Sequence, residues 1–262
     1  MTSGQRKPKR SLIYLRDVLS VLVARDFKIR YKRSILGVAW SLLVPLAHLA
    51  VLNLVFTKIV QLNIPNFSSF LLAGILPWTW FQNSLFQSCH TIVGNRDLVK
   101  QVGFPLGVLP PVTVVSQLVH FLLGLPILGV FLLMDGIKPS MSLLALPLVM
   151  GVQFILTLTL TYIAAALQVT FRDTQHVLGI ILFLWFYLTP VFWDAERLSD
   201  SWRGVAMVNP LTTLLGAYRA ILMRGEWPQL VPLGTIALFS SIVLGGVYLV
   251  FMGASNRFAE EL

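Results

Sequence analysis

The groups best suited to acid–base, nucleophilic or metal chemistry are few: His48, His90, His120 and His176, a single cysteine, Cys89, and 11 carboxylates. Their spacing builds no site. There is no His-Glu-x-x-His and no Cys/His cluster at metal-ligand spacing. No Gly-x-x-x-x-Gly-Lys-Ser/Thr loop is available to cradle a nucleotide phosphate. A lone cysteine cannot form an internal disulfide, and Cys89 reads as a small buried hydrophobe. His48 and His120 fall inside long apolar runs. Ionisable groups in membranes are functional candidates, although a neutral histidine bonded to a neighbouring helix is the commoner case. No carboxylate interrupts any of the long apolar runs, which argues against proton-coupled transport.

The chemistry that remains is hydrogen bonding and stacking. Uncharged polar groups recur along the apolar runs: Asn53, Gln82, Asn83, Gln87, Gln117, Gln153, Gln168 and the series Thr157, Thr159, Thr161. Aromatic residues gather in two places, Trp78, Trp80, Phe81 and Phe86, and Phe183, Trp185, Phe186, Tyr187, Phe192 and Trp193. Two readings stay open. The polar groups glue helices together and the aromatics form interfacial belts. Alternatively, both line a path for a neutral, hydroxyl-rich substrate whose sugar faces stack on aromatic rings.

The elements that must position these groups follow from composition. Apolar residues make up 56% of the 262 and charged residues only 12%, about half the charge of an ordinary globular domain. That charge cannot cover a soluble surface, so the expected fold class is an all-α integral membrane protein. Six runs have the length and character of spans: 34–60, 67–89, 104–134, 141–169, 177–193 and 229–254. They are helical because lipid offers no partner to an open strand edge. The first 33 residues carry ten of the 20 Lys and Arg, and no charge follows until Lys58. This places the tail, and with an even number of spans the last residues 255–262, in the cytoplasm. The net charge of +9 is concentrated beside a span, so anionic lipid explains it and nucleic acid is not an expected partner.

Within 1–33, Leu12, Leu15, Leu19 and Leu22 recur at helical spacing, predicting an amphipathic interface helix whose other faces carry Arg16, Arg25, Lys28 and Arg30. Asp26 and Arg30 can pair at i,i+4. A surface anchor and a docking face for a partner are both compatible with it. Asn95 is expected to cap a short cytoplasmic helix running to Val102, displaying Arg96, Asp97 and Lys100; Arg172 and Asp173 lie in the other cytoplasmic loop. Residues 194–228 hold Arg197, Arg203, Arg219 and Arg224 and are cut by Asn209-Pro210. Proline breaks a straight helix, so two short re-entrant helices are expected rather than a seventh span. Irregular backbone at that depth needs protein or a water-filled cavity around it.

Taken together, RYKRSILGVAWSLLVPL at 30–46, LLAGILPWTWFQNSL at 71–85, NRDLVKQVGFPLGVLPPV at 95–112, FRDTQH at 171–176 and NPLTTLLGAYRAIL at 209–222 resemble the permeases of polysaccharide ABC exporters. These are type-2 ABC permeases that export O-antigen, capsule or teichoic acid. The resemblance covers nearly the whole chain, in order. It implies a homodimer in the bacterial inner membrane, multi-pass and with both termini cytoplasmic. It implies a separate ATPase subunit that binds ATP and Mg, with no cofactor in this chain, and a lipid-linked polysaccharide as substrate. By resemblance Asn95, Arg96, Asp97 and Lys100 form the ATPase-coupling helix, with Arg172 and Asp173 as a second contact. Trp78, Trp80, Phe81, Trp185 and Tyr187 become candidates for the glycan channel, and Asn209, Pro210 and Arg219 for a re-entrant gate.

Other classes make distinct demands. A membrane-embedded glycosyl or acyl transferase needs a convergent acid, base or metal site. A type-2 permease for a drug, lipid or ion shares the fold without needing the aromatic clusters, and a scaffold needs no ATPase.

Overall fold

The structure, a computed structural model, describes residues 12–32, 34–61, 64–101 and 103–261. Among these there is no strand. Ten α-helices follow in order: α1 Leu12–Tyr31, α2 Trp40–Leu54, α3 Phe67–Val93, α4 Arg96–Val99, α5 Leu109–Met134, α6 Leu146–Thr170, α7 Thr174–Leu188, α8 Asp200–Val208, α9 Pro210–Arg219 and α10 Leu230–Glu261. Arg33 and Val102, the expected ends of the tail and of the short helix, lie outside the described residues.

Four helical stretches among the described residues are long and apolar enough to cross a membrane: Gly37–Ile59, Leu106–Met134, Met141–Thr170 and Leu230–Ser255. Helix α3 is 27 residues long, about 40 Å at 1.5 Å per residue, yet is too polar to join them. Its position explains its composition. It packs against α2, α5, α6, α7 and α9, and most of its side chains are buried. A helix enclosed by protein can carry Ser, Thr and Trp where a lipid-facing one cannot. The lipid-type surface falls to α2, α7 and α10, which expose Val51, Leu54, Leu184, Leu238, Phe239 and Leu249.

Two hydrophobic clusters divide the helical bundle between its two ends. The larger surrounds α3, α6 and α9, with Trp78, Trp80, Phe81, Val149, Leu214 and Tyr218 at its centre. The smaller joins Leu22 of α1, Ile92, Val99 of α4, Leu109, Tyr162, Phe251 and Phe258. The latter marks the end of the bundle that carries α1. The α3–α5 and α6–α7 connections both emerge there. The α8–α9 pair belongs to the opposite end, where Ser142 Oγ donates to the Ile221 carbonyl at 3.0 Å and Ser140 Oγ to that of Gly225 at 3.1 Å.

The expected break at Asn209-Pro210 is present and separates α8 from α9. The two halves differ. Helix α8 exposes Trp202, Val205 and Val208, whereas α9 buries Leu211, Leu214, Leu215, Tyr218 and Arg219. Helix α7 has 15 residues, about 22 Å, short of the roughly 30 Å of a hydrocarbon core. The α8–α9 pair attaches at its end, with α9 packed against α3, α6 and α10.

Candidate functional site

One face of α3 escapes burial. Thr79, Gln82, Asn83, Phe86, Gln87 and His90 stand at positions i, i+3, i+4, i+7, i+8 and i+11, a single stripe, and all are part-exposed or exposed. Five of these six are polar. Helix α7 forms the wall beside it. Phe86, Gln175, His176, Gly179, Ile180 and Phe183 line a groove of about 400 Å³, within the range of small-ligand clefts, roughly 300–1,000 Å³. A Cβ at Gly179 would make an ordinary van der Waals contact with the Phe86 ring at 3.6 Å, so the two walls stand close there. Above the groove, Phe183 meets Tyr187 edge-on at 5.2 Å, Tyr187 meets Phe192 at 5.9 Å, and Phe192 stacks on Phe56 of the turn after α2 at 5.1 Å. The result is an open surface groove with Phe86 of α3 on one side and Gln175, His176 and the aromatic row of α7 on the other; of the α3 stripe, Gln82 bonds to Trp78 and Gln87 to Arg30 and Gln117.

Three of the five aromatic residues expected along a channel do not belong to this surface. Trp78, Trp80 and Phe81 are 2%, 2% and 0% exposed. Trp78 Nε1 donates to Gln82 at 2.6 Å, and Trp80 Nε1 donates to the Val114 carbonyl at 3.2 Å while its ring stacks on Phe121. Phe81 packs against Trp185. They are core residues: Trp80 is turned toward α5, whereas Trp78 and Phe81 pack against Phe186 and Trp185 of α7. Trp185 is part-buried and bonded through Nε1 to Asn209 Oδ1 at 3.1 Å; Tyr187 is 52% exposed and faces outward. The groove residues not among the five channel candidates expected from the sequence are Phe86, Gln175, His176, Gly179, Ile180 and Phe183. The exposed face of α3 is legible as a polar stripe at helical spacing once the helix is known to be otherwise buried.

Much of the remaining polar inventory is internal. Gln153 Nε2 donates to the Pro77 carbonyl at 2.8 Å, Thr159 Oγ1 reaches the Ser240 carbonyl at 3.2 Å, and Thr161 Oγ1 donates to its own helix at Thr157. Thr91 and Thr113 join α3 to α5, Oγ1 to Oγ1, at 2.6 Å.

The α1 end presents two exposed charged faces. Arg96, Asp97 and Lys100 point away from the subunit, while Val99 of the same turn is 4% exposed and anchors it. The helix is shorter than expected, one turn over Arg96–Val99, and Asn95 does not cap it. Asn95 turns back instead: Nδ2 donates to the Thr91 carbonyl at 2.9 Å and Oδ1 accepts from Arg25 of α1. Arg172 and Asp173 are exposed beside Phe171, in a turn braced by Gln168, whose Nε2 donates to the Arg172 carbonyl and whose Oε1 accepts from the Gln175 amide. On α1, Arg16 and Lys28 are exposed, and Asp26 approaches Arg30 at 3.8 Å. The leucine face of α1 meets protein: Leu22 is 7% exposed, with Leu15 and Leu19 beside it.

At the opposite end, Asn209 and Arg219 clasp the α8–α9 pair to α7. Asn209 Oδ1 caps α9 through the Leu211 amide at 3.1 Å, and Nδ2 donates to Thr189 Oγ1 at 2.9 Å. Pro210 follows at the first helical position, where its missing N–H costs nothing. Arg219 is 6% exposed and donates from Nη1 to the Pro190 carbonyl and from Nη2 to the Val191 carbonyl, both at 2.7 Å. Its guanidinium lies 3.4 Å from the centre of the Phe70 ring. The guanidinium is thus hydrogen-bonded by the carbonyls at the end of α7.

Comparison with known proteins agrees with this architecture. Residues 17–223 match the model of the ABC-2 type transporter family. The chain belongs to that family. It is 38% identical to the O-antigen export system permease protein RfbA of Myxococcus xanthus, over 97% of this chain and 98% of that protein. It is 33% identical to the protein of the same name from Klebsiella pneumoniae, over 98% and 99%. The polysialic acid transport protein KpsM of Escherichia coli is 23% identical over 86% and 89%. An ABC-2 permease is a multi-pass membrane protein with a transport role, and the exposed apolar helices described above fit that setting.

Proposed function

We propose that this chain is the permease subunit of an ATP-driven exporter that moves a lipid-linked polysaccharide, O-antigen-like or capsular, across the bacterial inner membrane. The observation that carries this reading is the polar and aromatic groove between α3 and α7. Amides and imidazoles facing lipid would lose their hydrogen bonds at a cost of several kcal/mol each. The stripe is therefore suited to a water-filled path or a second subunit. A homodimer serves both needs, since a two-fold axis sets groove against groove. Sugar rings stack on Phe86, Phe183 and Tyr187, and their hydroxyls bond to Asn83, Gln175 and the histidines. Such sites bind weakly and repeatedly, which suits a polymer that must keep moving.

The energy enters from a separate ATPase, which holds ATP and Mg. The exposed faces at Arg96, Asp97 and Lys100, and at Arg172 and Asp173, are its docking sites on the cytoplasmic side. Both termini lie on that side.

The test is a variant with Phe86→Ala, Phe183→Ala and Tyr187→Ala, all at exposed positions. Export should fall roughly tenfold or more, equivalent to about 1.4 kcal/mol, as the stacking faces are lost, while membrane insertion and ATP hydrolysis by the complex persist. Unchanged display of surface polysaccharide would remove the groove as the path.

A further inference from the structure

Helix α4 is a single turn of four residues. A turn that short has no independent stability and cannot carry force by itself. It needs a rigid backing, and the structure supplies one from the N-terminal helix. Arg25 of α1 donates through Nη2 to Asn95 Oδ1 at the start of α4, and Asn95 in turn is tied to the last turn of α3. One and a half turns further along α1, Arg30 Nη2 donates to Gln87 Oε1 of α3. With its amide oxygen turned toward the guanidinium, Gln117 of α5 accepts from Arg30 Nη1 at 3.0 Å and Nη2 at 3.2 Å. The next residue closes the set. Tyr31 Oη lies 2.6 Å from His120 Nε2, and His120 Nδ1 lies 2.7 Å from the Ser116 carbonyl. A carbonyl can only accept, so Nδ1 holds the proton and the phenol donates to Nε2. Phe27 stacks on the same imidazole at 4.8 Å and 14°. Beneath these bonds Leu22 and Val99 share one hydrophobic cluster.

We propose that Arg25 and Arg30 are positioning residues that lock α1, α4 and the adjoining end of α3 into one lever. Gln87, where Arg30 grips α3, directly follows Phe86 of the groove. A push on α4 thus reaches the groove through α1 and α3 together, rather than through the four-residue turn. This rests on the reading of α4 as the ATPase-docking element.

The experiment uses the full chain with its ATPase in inverted membrane vesicles from cells that make the glycan. The readout is ATP-dependent protection of that glycan from periodate, with phosphate release measured in parallel. In Arg25→Cys with Asn95→Cys, the tie is removed, and transport should drop roughly tenfold while hydrolysis continues. The native Cys89 is buried and adds no competing thiol. A short bismaleimide joining the two new thiols should then restore transport. Normal transport in the unlinked pair overturns the lever, and so does a cross-link that fails to restore transport or abolishes it, since α1 and α4 would then have to separate. Arg25→Lys, which retains a donor, should keep transport within about twofold of the native level. If the double variant is not inserted, Arg25→Ala alone reads the same loss. The variant Arg96→Ala, Asp97→Ala, Lys100→Ala runs beside it. Normal transport there refutes the docking reading itself, whereas loss there with normal transport in the Arg25/Asn95 pair refutes only the lever.

Discussion

Arg219 shows how one residue can be expensive to bury and still hold a fold together. Its guanidinium spends its donors on carbonyls of Pro190, Val191 and, at 3.3 Å, Phe70. The α9 position of Arg219 reaches these only because Gly74 has no side chain: a Cβ there would lie 2.8 Å from both Arg219 Nη2 and the Val191 oxygen. Replacing Arg219 by Ala strands those carbonyls, at about 3 kcal/mol in all for a charged donor of this kind. Gly74→Ala should produce a comparable loss by expelling the same guanidinium. Because the guanidinium contact is shared while the Val191 backbone contact belongs to Gly74→Ala alone, the double variant should be worse than Arg219→Ala but fall short of the summed losses. Thermal unfolding midpoints in detergent check this, and full additivity would show that the two positions act separately. The arginine was visible in the sequence as a charge out of place, but its partners were not. Backbone carbonyls at a helix end leave no mark in residue types.

At the scale of elements, the long helices were legible because lipid imposes both length and composition. Which face of each helix meets which neighbour was not. Trp78, Trp80 and Phe81 looked like a ligand surface by type, yet α3 turns them into the core. Asn95 carries the right residue type for a cap, but a competing carbonyl at Thr91 and the Arg25 donor take its side chain. Asn209 did become a cap, because Pro210 fixes the first helical φ and leaves the Leu211 amide as the donor in reach. Asn209 also joins α9 to α7 through Trp185 and Thr189. Asn209→Ala should therefore loosen the whole start of α9, by about 1 kcal/mol for the cap alone. Hydrogen exchange of the 211–219 amides should quicken roughly fivefold at that cost. Exchange that accelerates in α8 but not in α9 would contradict the clasp.

At the scale of the whole molecule, the two hydrophobic clusters assign different work to the two ends. One end holds the lever of α1 and α4; the other holds the α8–α9 pair against α7. Export requires these ends to lie on opposite sides of the membrane, with α1 inside. Positive charge favours that orientation, since each Lys or Arg near an anionic inner leaflet contributes about 1 kcal/mol, and α1 alone bears Arg16, Arg25, Lys28 and Arg30. Single cysteines can test it against the silent background of Cys89. Lys138→Cys and Trp227→Cys, both at exposed positions near the α8–α9 end, should react with a membrane-impermeant maleimide in spheroplasts. Gln101→Cys and Arg172→Cys, exposed at the α1 end, should react only after the membrane is opened. Labelling of Gln101→Cys in sealed spheroplasts would invert the molecule and place α4 where no cytoplasmic ATPase could reach it. The docking reading would then fail, and with it the route by which hydrolysis is coupled to the groove.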